Sequence, residues 1–573
     1  MAYVLGIDTG GTNTDCALLD RKTQRLVCSS KAPTTKEQLS LGISHAIDDL
    51  DIPSFDDVAL VCLSTTLATN AIVEEKGCKT GIILIGKEPD KPLPTNYCKV
   101  IRGKLDIRGR ETVTMSEAEI KGAVREMASQ VEAIAVSGFA SVRNPSQELR
   151  VKDIIEKECH LPVFCAHQLT GTLGFWERTV TAALNASLVK IICDFITETR
   201  SALYQKQITA PMMIVRSDGT LMTESVAKLR PIETILSGPA ASILGAKHLT
   251  NMDDAFILDM GGTTTDIANL EDGRIKLNAD GARVNGWLTR CKAADVSTYG
   301  IGGDSDICLN KEGQIQIGPQ KVKPSCFSDN HSTQSGLTPT DILHITGHYV
   351  AGDPAASEAA LKRFAKELKL ADMDALFFIR EEITRKLATA CVQAAADFAG
   401  NDFSFSLDPA ASFLLNKAFR QDEKEFLKAE IHLRKPVIAV GAPVSAWLPA
   451  VIEKLHGQLV IPAHAEVANA VGAAVAKFFE SAEGLIRPQK ETKGYLVYLP
   501  DRSESFSDYN AAVAYARAGL SDHLRKRMQQ YGINRCHIDI EETPVYTTNF
   551  TCSNKKTYIE TRIVAASGVP LGK

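Results

Sequence analysis

The sequence predicts an α/β protein of two lobes, each carrying the same glycine–threonine hairpin, with a small α/β appendage at its C-terminal end. Three observations carry this expectation. An eight-residue pattern occurs twice, at residues 8–15 and 259–266. Strand-like and helix-like segments alternate around both copies, the pattern of α/β architecture. The last 86 residues, 488–573, turn to a strand-rich pattern of their own.

Bulk properties set the frame. At 573 residues, a prior of about 150 residues per domain gives three or four units. The expected divisions are 1–175 for the first lobe, 176–487 for the second and 488–573 for the appendage. A net charge of −5 and a pI near 6.2 leave no basic excess for nucleic-acid phosphates. The segment Tyr3–Ile7 reads as a first core strand, without the charged start and long apolar stretch of a secretory signal. No run of about 18 apolar residues suggests a membrane span. The fourteen cysteines are scattered singly, with no C-x-x-C pair. They read as buried thiols of a reducing compartment rather than metal ligands, and the expected location is the cytoplasm.

The duplicated pattern is the informative feature. Residues 8–15 read Asp-Thr-Gly-Gly-Thr-Asn-Thr-Asp and residues 259–266 read Asp-Met-Gly-Gly-Thr-Thr-Thr-Asp. Each copy lies between two short apolar runs, so each reads as strand, turn, strand. The repetition implies two lobes on one plan. Paired glycines suit a turn that takes positive φ or lets backbone approach a ligand, and its successive N–H groups form an anion-binding concavity. The threonines add hydroxyl donors without charge. Candidate nucleotide-binding residues are therefore Gly10, Gly11, Thr12, Asn13 and Thr14, with Gly261, Gly262, Thr263, Thr264 and Thr265. Asp8 and Asp259, at strand ends, are the candidate catalytic residues and the candidate Mg²⁺ (or Mn²⁺) ligands. No Gly-Lys-Ser/Thr follows either glycine pair, so these are not P-loops.

The remaining elements follow in order. Strands are expected at Ala59–Leu63, Lys79–Ile85 and Ala133–Phe139, with helices near Lys36–Asp49 and Ser116–Ser129. The stretch Asp353–Asn401 reads as helical and Ser404–Leu414 as strand-like. Val437–Val440 reads as a buried strand ending at Gly441-Ala442-Pro443, followed by a helix over Ser445–Leu455. Gly441 and Ala442 are candidate adenosine-side residues. Ala468–Ala474 is rich in small residues and suits a helix packed closely on a neighbour. In the appendage, strands are expected at Gly494–Pro500, His537–Glu541, Val545–Phe550 and Tyr558–Ala565, with an amphipathic helix over Tyr509–Tyr531. His537 and Asp539 read as solvent-facing polar residues rather than ligands.

These residues resemble the A-type chains of the hydantoinase/oxoprolinase family, a branch of the actin-like ATPase, sugar-kinase and heat-shock-chaperone superfamily. Beyond the hairpins, the resemblance rests on Thr65-Thr66-Leu67-Ala68-Thr69-Asn70-Ala71, Asn144-Pro145, Glu177-Arg178-Thr179 with Asn185-Ala186, and Ile235-Leu236-Ser237-Gly238-Pro239-Ala240-Ala241. The chain departs from the family pattern at Leu63-Ser64, at Gly300-Ile301-Gly302-Gly303-Asp304-Ser305 and after Gly318-Pro319. Those at Leu63-Ser64 and after Pro319 are expected on the substrate side rather than in the phosphate hairpins.

The resemblance implies two actin-like ATPase lobes that bind ATP with Mg²⁺ and open a small cyclic amide such as a hydantoin or lactam. It implies Glu177 and Arg178 as substrate-side residues, or as an interlobe ion pair. The chain ends after its 86-residue appendage, so a separate B-type hydantoinase subunit is expected to complete the reaction, within an oligomer. An ATP-dependent ketone carboxylase subunit, a small-molecule kinase and a non-enzymatic ATP-gated switch remain alternatives.

Overall fold

Each hairpin founds a sheet of its own, and the two foundations match strand for strand. The computed structural model describes residues 2–35, 38–52, 54–107, 109–327, 335–401, 403–419, 427–489, 494–530, 536–548 and 556–569. Tyr3–Thr9 pairs antiparallel with Asn13–Asp20, setting Asp8 opposite Asp15. Ala255–Met260 pairs antiparallel with Thr265–Glu271, setting Asp259 opposite Asp266. Equal turn length gives equal register, and register decides which side chains face the core. Leu5, Ile7 and Leu18 are accordingly buried under the first hairpin, and Leu258 and Ile267 under the second. The next strand on each hairpin is parallel. Val58–Thr65 lies beside the first and Val437–Val440 beside the second.

Sheet membership does not follow chain order. The first hairpin belongs to an eleven-stranded sheet that also takes Met212–Val215, Thr220–Thr223 and Lys477–Pro488. The second belongs to a six-stranded sheet. Between them in sequence, Thr80–Ile85, Tyr97–Ile101, Ala133–Gly138 and Val163–Cys165 form a separate parallel sheet of four. The C-terminal strands pair with Lys477–Pro488 and so extend the first hairpin's sheet. A buried ion pair fastens that extension, with Arg216 donating to Glu480 at 2.7 Å.

A short helix of small residues, Ala468–Val475, runs through the middle of this arrangement. It packs against the helix Ser237–Thr250 with backbone nearly touching backbone. A Cβ on Gly472 would lie 1.8 Å from the Ala241 carbonyl oxygen, and one on Gly245 would lie 1.9 Å from that of Ala468. Its other side rests on the first hairpin, where a Cβ on Gly6 would lie 1.9 Å from the Ala470 carbonyl oxygen. Only glycine admits such approach. The helix is thereby seated against both the strand that carries Asp8 and the helix beside Asp259.

Several expectations change. Ser404–Leu414 is not a strand: a turn leads into the helix Pro409–Phe419. Proline suits a first helical position, Asp408 accepts from the Ala411 N–H at 2.7 Å, and Leu415 and Phe419, four apart, face the core. The region expected as β-α-β-β-β is instead two strands, Tyr495–Tyr498 and Ser503–Phe506, the helix Tyr509–Gln530, and the strands Asp539–Thr548 and Lys556–Val569. Ser503–Phe506 is too short and polar to show in the pattern. The two strands expected on either side of Pro544 are one, because it is an edge strand paired only with Lys556–Val569, and an edge tolerates proline. Lys36, Tyr531 and the Phe550 end of an expected strand lie outside the described residues.

The helix Phe175–Gln205 is long and apolar enough to cross a membrane by length and composition, with 67% of its apolar window buried inside the fold. Thirteen cysteines are described and all are free thiols. His537 and Asp539 are exposed and pair with each other at 3.1 Å.

Candidate functional site

Asp8 and Asp259 end matching strands, and one side chain lies between them. The Asn469 amide nitrogen is 3.5 Å from Asp8 Oδ2 and 3.3 Å from Asp259 Oδ2. Asn469 stands at the start of the small-residue helix, whose glycine contacts bring it within reach of both lobes. Each aspartate also has a serine. Ser64 donates to Asp8 Oδ1 at 2.6 Å, and Ser242 bonds Asp259 Oδ2. Ser242 Oγ also lies 2.7 Å from Asn469 Oδ1 and 3.2 Å from the Gly238 carbonyl oxygen. One hydroxyl proton cannot serve three acceptors at once, and a proton on Asp259 would relieve one of them. Burial acts in the same direction, raising the pKa of Asp259 and of Asp8 against the hydrogen bonds that lower them.

The second aspartate of each octet shows a difference. Asp15 is paired with Lys31 at 2.7 Å. Burial raises Asp15 to about 6, with Lys31 opposing the rise. Among the described residues no lysine pairs with Asp266, and burial raises it to about 7 against the Thr298 hydroxyl.

Gly10 and Gly262 serve their turns through space rather than positive φ. Gly10, Gly11, Gly261 and Gly262 all lie outside the left-handed region, contrary to the expectation. A Cβ on Gly262 would lie 3.0 Å from the Thr12 hydroxyl of the other hairpin and 2.8 Å from an Asp304 carboxylate oxygen. The two tips therefore meet. Gly10 N–H bonds the Asn13 carbonyl at 3.0 Å, and Gly261 N–H bonds that of Thr264 at 2.9 Å. The N–H groups of Gly11, Thr12, Gly262 and Thr263 have no acceptor among the described residues, the condition of an anion-binding concavity.

The threonines divide in two. Thr12 is exposed and Thr263 and Thr264 are half-buried at the tips. Thr14 and Thr265 are buried, and their hydroxyls are engaged inside their own lobes, with Thr34 Oγ1 at 3.0 Å and the Ile301 carbonyl at 2.6 Å. Strand alternation turns them away from the tips. Gly441 approaches the second hairpin, with its Cβ position 3.1 Å from Asp259 Oδ1, and Ala442 beside it is exposed.

The departures from the family pattern gather at these hairpins, not away from them. Ser64 bonds Asp8. The turn at residues 302–304 lies on the second hairpin, with Gly303 N–H to the Gly261 carbonyl at 3.0 Å and Asp304 N–H to that of Gly262 at 2.5 Å. Lys321, just past Gly318-Pro319, reaches Thr12 Oγ1 at 2.8 Å and Asp304 Oδ2 at 3.2 Å.

Glu177 and Arg178 do not pair with each other. Glu177 faces Arg290 at 3.6 Å, while buried Arg178 donates to the Gly138 and Phe139 carbonyls at 3.1 and 2.9 Å.

Ser64, Ser242, Asn469, Asp304 and Lys321 were not among the expected site residues. One signal was available for Asn469, the single polar residue in the run Ala-Asn-Ala-Val-Gly-Ala-Ala. The others became legible only when distant segments met. The oxygen donors suit a hard divalent cation: two buried carboxylates whose negative charge is disfavoured by burial until a cation joins them.

Matching hairpins on two sheets, converging on a shared pair of buried carboxylates, define a duplicated-lobe α/β protein. The chain belongs to the hydantoinase/oxoprolinase family: residues 4–159 match its N-terminal region and residues 178–390 match the hydantoinase/oxoprolinase domain. Among curated relatives it is 24% identical over 448 residues to the acetophenone carboxylase gamma subunit of Aromatoleum aromaticum, covering 67% of this chain and 60% of that protein. It is 28% identical over 379 residues to the alpha subunit of the caprolactamase of Pseudomonas jessenii, covering 59% and 53%. A nucleotide-free acetone carboxylase structure superposes with a TM-score of 0.76 at 18% identity, covering 100% of this chain and 88% of that one. This chain thus spans between about half and three-fifths of the two curated relatives.

Proposed function

We propose that this chain binds ATP with Mg²⁺ (or Mn²⁺) at the meeting of its two hairpins and uses it to activate a small cyclic amide for ring opening. The observation that carries this reading is the Asn469 bridge, which draws Asp8 and Asp259 from separate sheets to one point beside two anion-accepting turns. An amide oxygen is a poor leaving group. Transfer of the γ-phosphoryl group to it breaks the bond to ADP and gives an imidate phosphate. Water then attacks that carbon, the ring C–N bond breaks, and a further water releases phosphate.

Phosphoryl transfer needs positioning and charge neutralisation more than covalent chemistry from the protein. The free N–H groups at the tips would donate to phosphate oxygens. Asp8 and Asp259 would hold the divalent cation, which supplies charge neutralisation when bound. Ser64, Ser242 and Asn469 fix the carboxylates. Gly441 and Ala442 are proposed on the adenosine side. A B-type partner chain is proposed to shelter the labile intermediate from unproductive release. The name of the caprolactamase relative supports the cyclic-amide substrate.

A second reading has its own support: the carboxylase relatives favour activation of a ketone and bicarbonate by the same hairpins. ATP turnover separates the two. Stimulation by lactams or hydantoins without bicarbonate supports ring opening, and stimulation by a ketone only with bicarbonate supports carboxylation. A chain that binds no nucleotide refutes both.

A further inference from the structure

We propose that Lys321 is the terminal-phosphate ligand of the nucleotide site, held at the junction of the two hairpin tips by Thr12 and Asp304. The inference rests on the nucleotide reading above and adds a residue outside both repeated octets. Lys321 ends the strand Ile315–Lys321, which pairs with Ser305–Leu309 so that Lys321 lies opposite Ser305, the residue after Asp304. The Val322 N–H bonds the Asp304 carbonyl at 3.0 Å, fixing the same end of the ladder. Asp304 is in turn tied to the second hairpin through its own N–H to Gly262. The lysine is therefore placed by backbone, not by a free side-chain swing.

Its position is specific. The ammonium group reaches Thr12 of the first hairpin at 2.8 Å and Asp304, seated on the second, at 3.2 Å. An ammonium group has three N–H donors, so one remains for a phosphate oxygen. The side chain is about one-third exposed, open enough to meet a ligand, while that of Asp304 is nearly buried. Gly262 keeps the junction clear, since a Cβ there would press on both Thr12 and Asp304. The neighbouring free N–H groups of Gly11, Thr12, Gly262 and Thr263 are uncharged. Lys321 supplies the point charge that they lack, and with the adenosine proposed beside Gly441 at the second hairpin, the terminal phosphate is the one carried toward the first, where the ammonium meets Thr12.

The chemistry sets the test. A residue on the terminal phosphate discriminates nucleoside triphosphate from diphosphate, whereas one that only braces the turn affects both alike. Binding of ADP and of a non-hydrolysable ATP analogue, each with Mg²⁺, is measured by calorimetry for the wild type, Lys321→Met and Lys321→Arg. Methionine keeps the aliphatic stem, and thermal melts confirm folding. For Lys321→Met, analogue affinity is expected to fall about tenfold or more while ADP changes less than threefold, the loss of one charge-assisted hydrogen bond. Lys321→Arg should recover most of the analogue affinity. Equal losses for both nucleotides, or no loss, overturn the assignment while leaving the nucleotide site standing. A wild type that binds neither nucleotide overturns the site and the assignment together.

Discussion

The second aspartate of the first hairpin's octet faces a cation, and that of the second hairpin's octet faces none among the described residues. Lys31, on the third strand of the first sheet, pairs with Asp15. The corresponding position across from Asp266 is Thr298, which offers a hydroxyl and no charge. At the second hairpin lysines stand elsewhere, Lys321 by the tip through Asp304 and Lys435 at the base on Asn269 and the Leu270 carbonyl. A duplicated octet thus keeps turn length, register and the two aspartates, while the charge around it is set by whichever strand packs alongside. The two halves are alike in geometry and unlike in electrostatics.

The largest effect should come from what the halves share. Asp8→Asn or Asp259→Asn is expected to lower ATP turnover by at least about a thousandfold, since each removes a buried charge needed for the transferring phosphoryl group. Both variants should keep their melting temperature or gain slightly, because burial already opposes the charged form. Normal turnover in either would show that its hairpin is not part of the chemistry.

Next comes the helix that serves both halves. Gly472→Ala places a methyl group 1.8 Å from a backbone oxygen, and a backbone cannot move as a flexible side chain can. A loss of roughly 3 kcal/mol in denaturant unfolding is expected. An unchanged midpoint would mean that the two helices are not seated backbone to backbone.

The asymmetry itself can be read by pH. Asp266 is raised in the fold to about 7, against an ordinary value of 3.8. The folded state therefore holds a proton that the unfolded chain has released, and stability falls as pH rises between those values. Asp266→Asn should remove that loss. It is expected to stabilise the nucleotide-free protein by roughly 2 kcal/mol at pH 8 and by little at pH 4. Asp15→Asn should gain less, because it leaves Lys31 without its carboxylate. Equal gains from the two substitutions would erase the proposed difference between the hairpins.

The smallest effect concerns the bridge. Asn469→Ala removes the one side chain that bonds both aspartates, among the described residues. Turnover at saturating ATP is expected to fall about tenfold, with nucleotide affinity changing less, as for a residue that positions others. If affinity falls and turnover does not, Asn469 acts in binding instead.

The sequence by itself determined both hairpins, their matching registers and the placing of Asp8 and Asp259 at strand ends. It did so because a strand–turn–strand unit is local: apolar alternation and two glycines within eight residues suffice. It also fixed the small-residue helix, whose composition announces close packing. The helix Pro409–Phe419 was missed because an apolar run of that length suits either structure until a partner face selects a period.

What only the tertiary structure decided is which residues surround the aspartates. Ser64, Ser242 and Asn469 come from three segments widely separated in sequence, and Asp304 meets Lys321 and Thr12 only because a glycine turn lies on the second hairpin. Ser64 and Asp304 stand at departures from the family pattern and Asn469 is the one polar residue of its run, but no local periodicity gives them a role. Burial likewise raises Asp266 further than Asp15 although the octets are nearly the same, because a pKa depends on the charges and solvent that folding brings near. Local pattern set the turns, and long-range packing set their charge.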